Sequence, residues 1–408
     1  MNASDLPSSV RRLLGSLVDA SVRERIAISV AALFASLLVG AVVIMAAGLV
    51  ATCKEPFLAL GGSSFCYDPW EVYYQLFVSP FLNDFNTALM LKETTLLLFT
   101  GLAVAVAFRA GLFNIGAQGQ LVFGALGSAL AVLWGAAFVP TGVVGSLVLI
   151  PFGLVVGAVV GGLYGAVPGL LKAYADANEV ITTIMLNFVA TNVAFYLVST
   201  YFKDPASQSV ETKSVPAVAQ LKPVLGRFES TSFSVWALLT GLALVVVIYY
   251  LLFHTSFGYD MRISGIQPAA AAYGGVDAER LVVGSMVLSG ALSGLAGAVY
   301  VLMVLGRWRT GIPAVGFDGI TVSILASNNP LGVVPAAFLF GILKSGSLSI
   351  SFALGVPKQL VGVLRGLIIL FVAMPEFFRM VGLKLGVGDR QPVATDGGRP
   401  VEGGDDDE

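Results

Sequence analysis

Charge is what this sequence has least of. Only 12% of its 408 residues are Asp, Glu, Lys or Arg, against about 25% in an ordinary soluble domain, while 56% are hydrophobic. So little solvated surface excludes a water-soluble globule and points to an all-α polytopic membrane protein. Histidine is almost absent. His254 is the single one, so neither a His-based metal site nor a His-dependent catalytic pair can be built beyond it. No cofactor is expected. An intramembrane hydrolase would need paired acids, a dyad or a metal motif, and the scattered acids offer none. The net charge of -2 leaves no basic excess for nucleic acid. A G-x-x-x-x-G-K-S/T phosphate loop is also missing, so the chain cannot hold ATP in that way. Cysteine occurs twice, at Cys53 and Cys66, in one segment between apolar runs. An external disulfide and two separate thiols are both compatible with that spacing.

What is present is a series of apolar runs, measured against the ~20 residues that a crossing helix needs. Ten candidates lie at 26–51, 92–108, 116–138, 142–171, 178–201, 233–253, 281–304, 315–327, 331–349 and 359–376, with 92–108 and 315–327 short. Pro151 and Pro168 predict a tilted or kinked helix in the long fourth run. The polar stretch 1–25 carries Arg11, Arg12, Arg23 and Arg25 and does not read as a cleaved signal peptide. Counted by Lys and Arg, both termini and the 255–280 loop fall in the cytoplasm, and segments 52–91 and 202–232 fall outside. Arg307 and Arg309 are the exceptions, landing outside. Residues 70–91, with Trp70, Tyr73, Tyr74, Phe77 and Phe81, suit a helix lying at the outer interface. The domain plan is therefore a cytoplasmic segment 1–25, a transmembrane domain 26–380 and a disordered acidic tail 381–408.

Polar residues inside this apolar background are the candidate sites. The stretch Phe108–Gln120 sets Asn114, Gln118 and Gln120 among glycines between two spans, where amides facing lipid would be costly. It is either a loop capping two spans or a turn that lines a path. In the run from Asn178, residues Glu179, Thr183, Asn187 and Thr191 are four apart, and drift by only about 40° per step on a helix. They form one polar stripe, facing either a helix seam or a water-filled path. Gly116–Gly119 and Gly316–Gly319 echo each other as Gly-x-polar-Gly, and Asp318 with Ser327-Asn328-Asn329-Pro330 repeats the polar-turn pattern. Arg365 stands alone in an apolar run. In the 255–280 loop, Pro268 suits a first helical position and Gly274 the residue past a last one. That predicts a six-residue helix, too short to persist unless something holds it.

The runs Phe113–Gln120, Asn178–Asn187 and Phe317–Val322 followed by Asn328–Gly332 resemble the permease subunits of ABC importers, in the family of ribose, branched-chain amino acid and nucleoside permeases. The second and third runs are most like the nucleoside branch. The resemblance covers about residues 90–380. It implies a substrate pathway at Asn114, Gln118, Glu179, Thr183, Asn187 and Asp318. It implies an ATPase-coupling segment at Gly258, Asp260, Arg262, Gly265, Gln267, Pro268, Ala271 and Gly274. It also implies cytoplasmic ATPase subunits, a second permease subunit, an extracellular binding protein or lipoprotein, a plasma-membrane location and a nucleoside or simple sugar as solute. That family usually carries Glu where Gln118 stands, so the role of a charge there is lost. The competing expectation is an ion-coupled carrier or channel that needs no ATPase.

Overall fold

A computed structural model describes residues 22–53, 56–60, 63–357, 359–364, 366–371 and 374. The arginines at 11 and 12, Arg365, the end of the last apolar run and the acidic tail lie outside these residues. The chain divides into two compact units, residues 1–42 with 366–408 and residues 43–365. In the first unit the described residues are helical. The site described below lies in the second.

The helices are α1 (Val22–Val50), α2 (Pro69–Phe77), α3 (Ser79–Leu82), α4 (Asp84–Arg109), α5 (Ala117–Gly135), α6 (Val143–Ala175), α7 (Glu179–Leu197), α8 (Val235–His254), α9 (Ser256–Ile266), α10 (Pro268–Tyr273), α11 (Ala278–Val299), α12 (Val315–Leu325) and α13 (Pro330–Ala353). A further apolar helix spans Gln359–Phe371. Two π-helical turns, Val198–Phe202 and Tyr300–Leu305, extend α7 and α11. Among the described residues, seven helices are long and apolar enough to cross a bilayer, and Phe34–Val50, Val315–Leu325 and Gln359–Phe371 are shorter apolar ones. Together they account for the ten apolar runs.

Two of the boundary shifts have a local cause. The span read as 92–108 begins at Asp84, where Asn83 caps the helix by accepting from the Asn86 amide at 2.8 Å. Residues 84–91 thus belong to a 26-residue helix, and only 69–82 form the separate short helices. The fourth run extends to Ala175, because Asp176 turns left-handed and stops the helix there.

Glycine sets the packing. Gly157, Gly161 and Gly165 fall four apart on α6 and meet Gly290 and Gly294 of α11 backbone to backbone, leaving no room for a side chain. The same face of α11 presses Gly294 and Gly297 onto Gly124 and Leu121 of α5. Outside this bundle, β1 (Leu58–Leu60) pairs antiparallel with β2 (Ser63–Phe65), and a disulfide joins Cys53 to Cys66.

Candidate functional site: a re-entrant turn tied to a docking helix

After Arg109 the chain does not simply cap two spans. Gly111 adopts φ +72, and residues 112–116 climb back beside α4. Asn114 marks how far. Its Nδ2 donates to Ser289 Oγ at 2.8 Å, and that hydroxyl donates to the Ala103 carbonyl at 2.6 Å. Ala103 lies six residues, about 9 Å, up α4 from Arg109. Asn114 is 1% exposed and also bonds Gln120 at 2.9 Å. These buried amides satisfy one another, as they must away from water.

α5 and α12 then start from one place and run opposite ways. The Gly316 amide donates to Gln118 Oε1 at 2.8 Å, and Gln118 Nε2 donates to the Pro313 carbonyl at 3.0 Å. A methyl on Gly316 would lie 2.5 Å from the Gln118 Cα, and one on Gly319 would lie 2.7 Å from Thr100. Thr100 stands nine residues, about 13 Å, above Arg109. The two Gly-x-polar-Gly turns therefore touch, with both helix N-termini aimed at the junction deep within the bundle. α12, at 11 residues, is about 16 Å long and cannot cross a ~30 Å apolar layer alone.

The stripe on α7 closes the same junction. Asn187 Oδ1 accepts from the Gly119 amide at 2.7 Å, and its Nδ2 donates to the Ile115 carbonyl at 2.9 Å. Thr183 is fully buried against Gly116, its hydroxyl bonded to the Glu179 carbonyl at 2.6 Å. Glu179 itself sits at the α6–α7 corner, 3.6 Å from the Lys172 ammonium. Asn114, Thr183 and Asn187 are thus seam residues holding the turn. Thr191, the fourth of the stripe, is exposed.

Asp318 belongs to an ionic cluster whose other members the sequence reading missed. Lys344 of α13 lies 3.0 Å from Asp318 and 2.9 Å from Glu93 of α4, and Lys92 lies 3.2 Å from Glu93. The Lys344 and Glu93 side chains are only 16% and 15% exposed. Lys92, Glu93, Lys344 and Tyr300 line a cavity of about 340 Å³. The signal was available, since Lys344 is the one charge in the run 331–349.

At the other end of α12, Arg109 holds the turn into α13. Its guanidinium donates to the Asn328 carbonyl at 2.8 Å and to that of Ser327 at 3.3 Å. Ser327 and Asn328 adopt φ +52 and +56, a costly region for side-chain-bearing residues. Arg109 and Arg262 both sit over the Phe253 ring, at 5.4 and 4.8 Å. Gly265, at the end of α9, packs on the same corner, where a methyl on Gly111 would lie 2.6 Å from its carbonyl oxygen.

The short helix α10 spans Pro268–Tyr273, with Pro268 in its first turn and the Gly274 amide closing onto Ala270. Gln267 precedes it as N-cap residue and is exposed. Ala271 is buried, which fixes the helix to the bundle, while Ile266 and Tyr273 are 81% and 96% exposed. Gly258 packs on the Leu251–Leu252 backbone, Arg262 bonds its carbonyl at 3.2 Å, and Asp260 is half-buried.

On the far face, residues 203–215 strap the strip 306–310. The Thr212 amide donates to the Trp308 carbonyl at 2.9 Å, and Arg307 pairs with Glu211 at 2.8 Å. The Ser207 hydroxyl, then the Arg307 charge, hold the Glu211 carboxyl below the usual carboxylate range.

Residues 86–373 match the family described as "Branched-chain amino acid transport system / permease component". The guanosine ABC transporter permease protein NupP of Bacillus subtilis is 36% identical over 298 residues, covering 72% of this chain and 83% of that one. The nucleoside ABC transporter permease protein NupB of Lactococcus lactis is 30% identical, covering 76% and 85%. The glucose ABC transporter permease protein TsgB13 of Haloferax volcanii is 31% identical, covering 79% and 86%. With most of the apolar helices and the re-entrant turn lying inside the matched region, the chain belongs to this permease family, as a multi-pass membrane subunit of an ABC importer.

Proposed function

We propose that this chain forms part of the pore through which an importer brings nucleosides or related simple sugars across the plasma membrane, with both termini cytoplasmic. Cytoplasmic ABC ATPase subunits hydrolyse the ATP and dock on α10. A second permease subunit completes the pore, and an extracellular binding protein or lipoprotein delivers the solute. The guanosine and nucleoside names of two relatives support the solute class, and the glucose permease keeps simple sugars beside it.

The observation that carries the mechanism is mechanical continuity. α10 leads into α9, whose Gly265 presses on the Ala110–Gly111 backbone and whose Arg262 shares Phe253 with Arg109. Arg109 grips the strained Ser327–Asn328 turn, and α12 runs from that turn to the Gln118–Gly316 contact. A displacement of α10 by nucleotide-driven closure of its partners therefore reaches the junction of α5 and α12 through packed backbone. Alternating access follows if that junction opens and closes. In this mechanism Gln118 and Asp318 border the moving junction, while Asn114, Glu179, Thr183 and Asn187 fix its fixed side.

Ala270 is exposed on α10, whereas Ala271 is buried, so Ala270→Asp probes docking without disturbing the bundle. The variant should insert normally and fail to co-purify with its ATPase. Undiminished association would remove the docking role of α10.

A further inference from the structure

Arg309 and the polar residues of the outer half of α7 have no part in the linkage above. They meet at a cavity of about 360 Å³ between α5, α7 and the strip 308–312, within the roughly 300–1,000 Å³ of small-molecule sites. Resting on the importer reading, we propose that this cavity seats the solute during passage, and that the solute is a nucleoside, its base against Phe195 and Trp308 and its sugar hydroxyls toward Arg309.

Four observations point there. Thr191 and Asn192 are exposed in the middle of the 24-residue apolar span Glu179–Phe202. Asn192 lies 13 residues in, about 20 Å from the Glu179 end, where an amide facing lipid would be costly. The face they mark is therefore turned to water, a polar ligand or the second subunit. Second, hydrogen-bonding capacity is left over. Asn192 Nδ2 bonds the Phe188 carbonyl at 2.8 Å, but its Oδ1 accepts no hydrogen bond from the described residues, and the Arg309 guanidinium, whose charge acts on Glu211, donates none to them.

Third, the aromatic walls are of two kinds. Trp308 is 2% exposed and its Nε1–H reaches the Val122 carbonyl at 3.4 Å, so it is a fixed wall, whereas Phe195 is 46% exposed and free to stack. An aromatic surface beside a free amide acceptor and a cation suits a flat base bearing an amine and a hydroxylated ring. A lone hexose can lay its C–H face on Phe195, but it brings no π-surface to stack and no amine for the free amide oxygen. Arg309 disfavours cations. Fourth, both π-helical turns, Val198–Phe202 and Tyr300–Leu305, begin or end within one turn of the cavity wall, the kind of irregularity found where helices accommodate ligands.

The test uses the chain's shortage of thiols. Its only two cysteines are joined to each other, so Asn192→Cys introduces the sole free thiol. In membrane vesicles carrying the full chain, N192C should react with a membrane-impermeant methanethiosulfonate, and Val246→Cys on the exposed apolar face of α8 should not. Adenosine at millimolar concentration should slow the N192C reaction severalfold, with glucose and ribose much less effective. Adding Phe195→Ala should raise the half-protecting adenosine concentration about tenfold, the size of a lost base–aromatic stack. An unreactive N192C, or one that no solute protects, would overturn the seat. Equal protection by glucose would overturn the nucleoside assignment. ATP-driven adenosine uptake by the complete importer, measured alongside, separates the two readings. Uptake without protection sinks the seat alone, and protection without uptake upholds the seat and sinks the importer reading beneath it.

Discussion

Single residues in this bundle carry consequences set by the absence of water. Lys344 holds two carboxylates that come from different helices, Glu93 on α4 and Asp318 on α12. Its removal leaves Asp318 without a cation and Glu93 held by Lys92 alone in a mostly buried site, a loss of about 3 kcal/mol or more. Lys344→Met should therefore lower the thermal unfolding midpoint of the purified chain markedly, and the triple change with Glu93→Gln and Asp318→Asn should recover part of it. An unchanged midpoint would show that water reaches the cluster freely. Gln118 makes the opposite kind of contribution, since it both donates, to Pro313, and accepts, from Gly316. An ionised glutamate keeps the second bond and sets its other oxygen against a carbonyl. Gln118→Glu should thus cost about 1–3 kcal/mol of stability at the α5–α12 junction. Hydrogen exchange in residues 313–320 is the readout, and unchanged protection would refute it. An ionised glutamate, the residue that the resemblance implies at this position, cannot make the same pair of bonds.

Among the elements, α10 was the most legible and the α5–α12 junction the least. Pro268 and Gly274 bracket a helix because one has no amide to lose at a first turn and the other closes the last turn, and both effects are local. The short length of α12 could also be read from its run of apolar residues. The echo between Gly116–Gly119 and Gly316–Gly319 was visible as a pattern, but nothing local says that the two turns touch with their N-termini facing. That contact depends on the chain climbing back from Gly111, which is a tertiary event. The same limit hid the early start of α4, because residues 84–91 are too mixed in polarity to count as a span until Asn83 is recognised as their cap. The stripe on α7 follows from four-residue spacing alone. Whether it faced a seam or a path could not be decided without its partner, and Asn187 turned out to bond the turn while Thr191 stays open. One element-scale consequence concerns the α9 contact. A methyl on Gly265 would lie 2.5 Å from the Ala110 carbonyl carbon, so Gly265→Ala must push α9 away from the corner. ATP hydrolysis by the docked partners should continue while solute uptake falls about tenfold or more, within the range of a lost inter-site coupling. A parallel fall in both rates would place the effect in docking instead.

At the scale of the molecule, residues 43–365 form a bundle glued by glycine, in which the part proposed to move is short and its supports are long. α6 and α11 approach backbone to backbone and leave little freedom, whereas α12 is anchored at its two ends by Arg109 and by Gln118. In the proposed mechanism such an arrangement moves only when a partner pushes it, on the surface given by the exposed Ile266 before α10 and Tyr273 at its end. The direct measurement is concentrative uptake of labelled nucleoside into liposomes, with the purified chain alone and with its ATPase and binding-protein partners. The account predicts accumulation only in the complete assembly and only with ATP hydrolysis. Uphill uptake by the chain alone, driven by an ion gradient and indifferent to nucleotide, would contradict it.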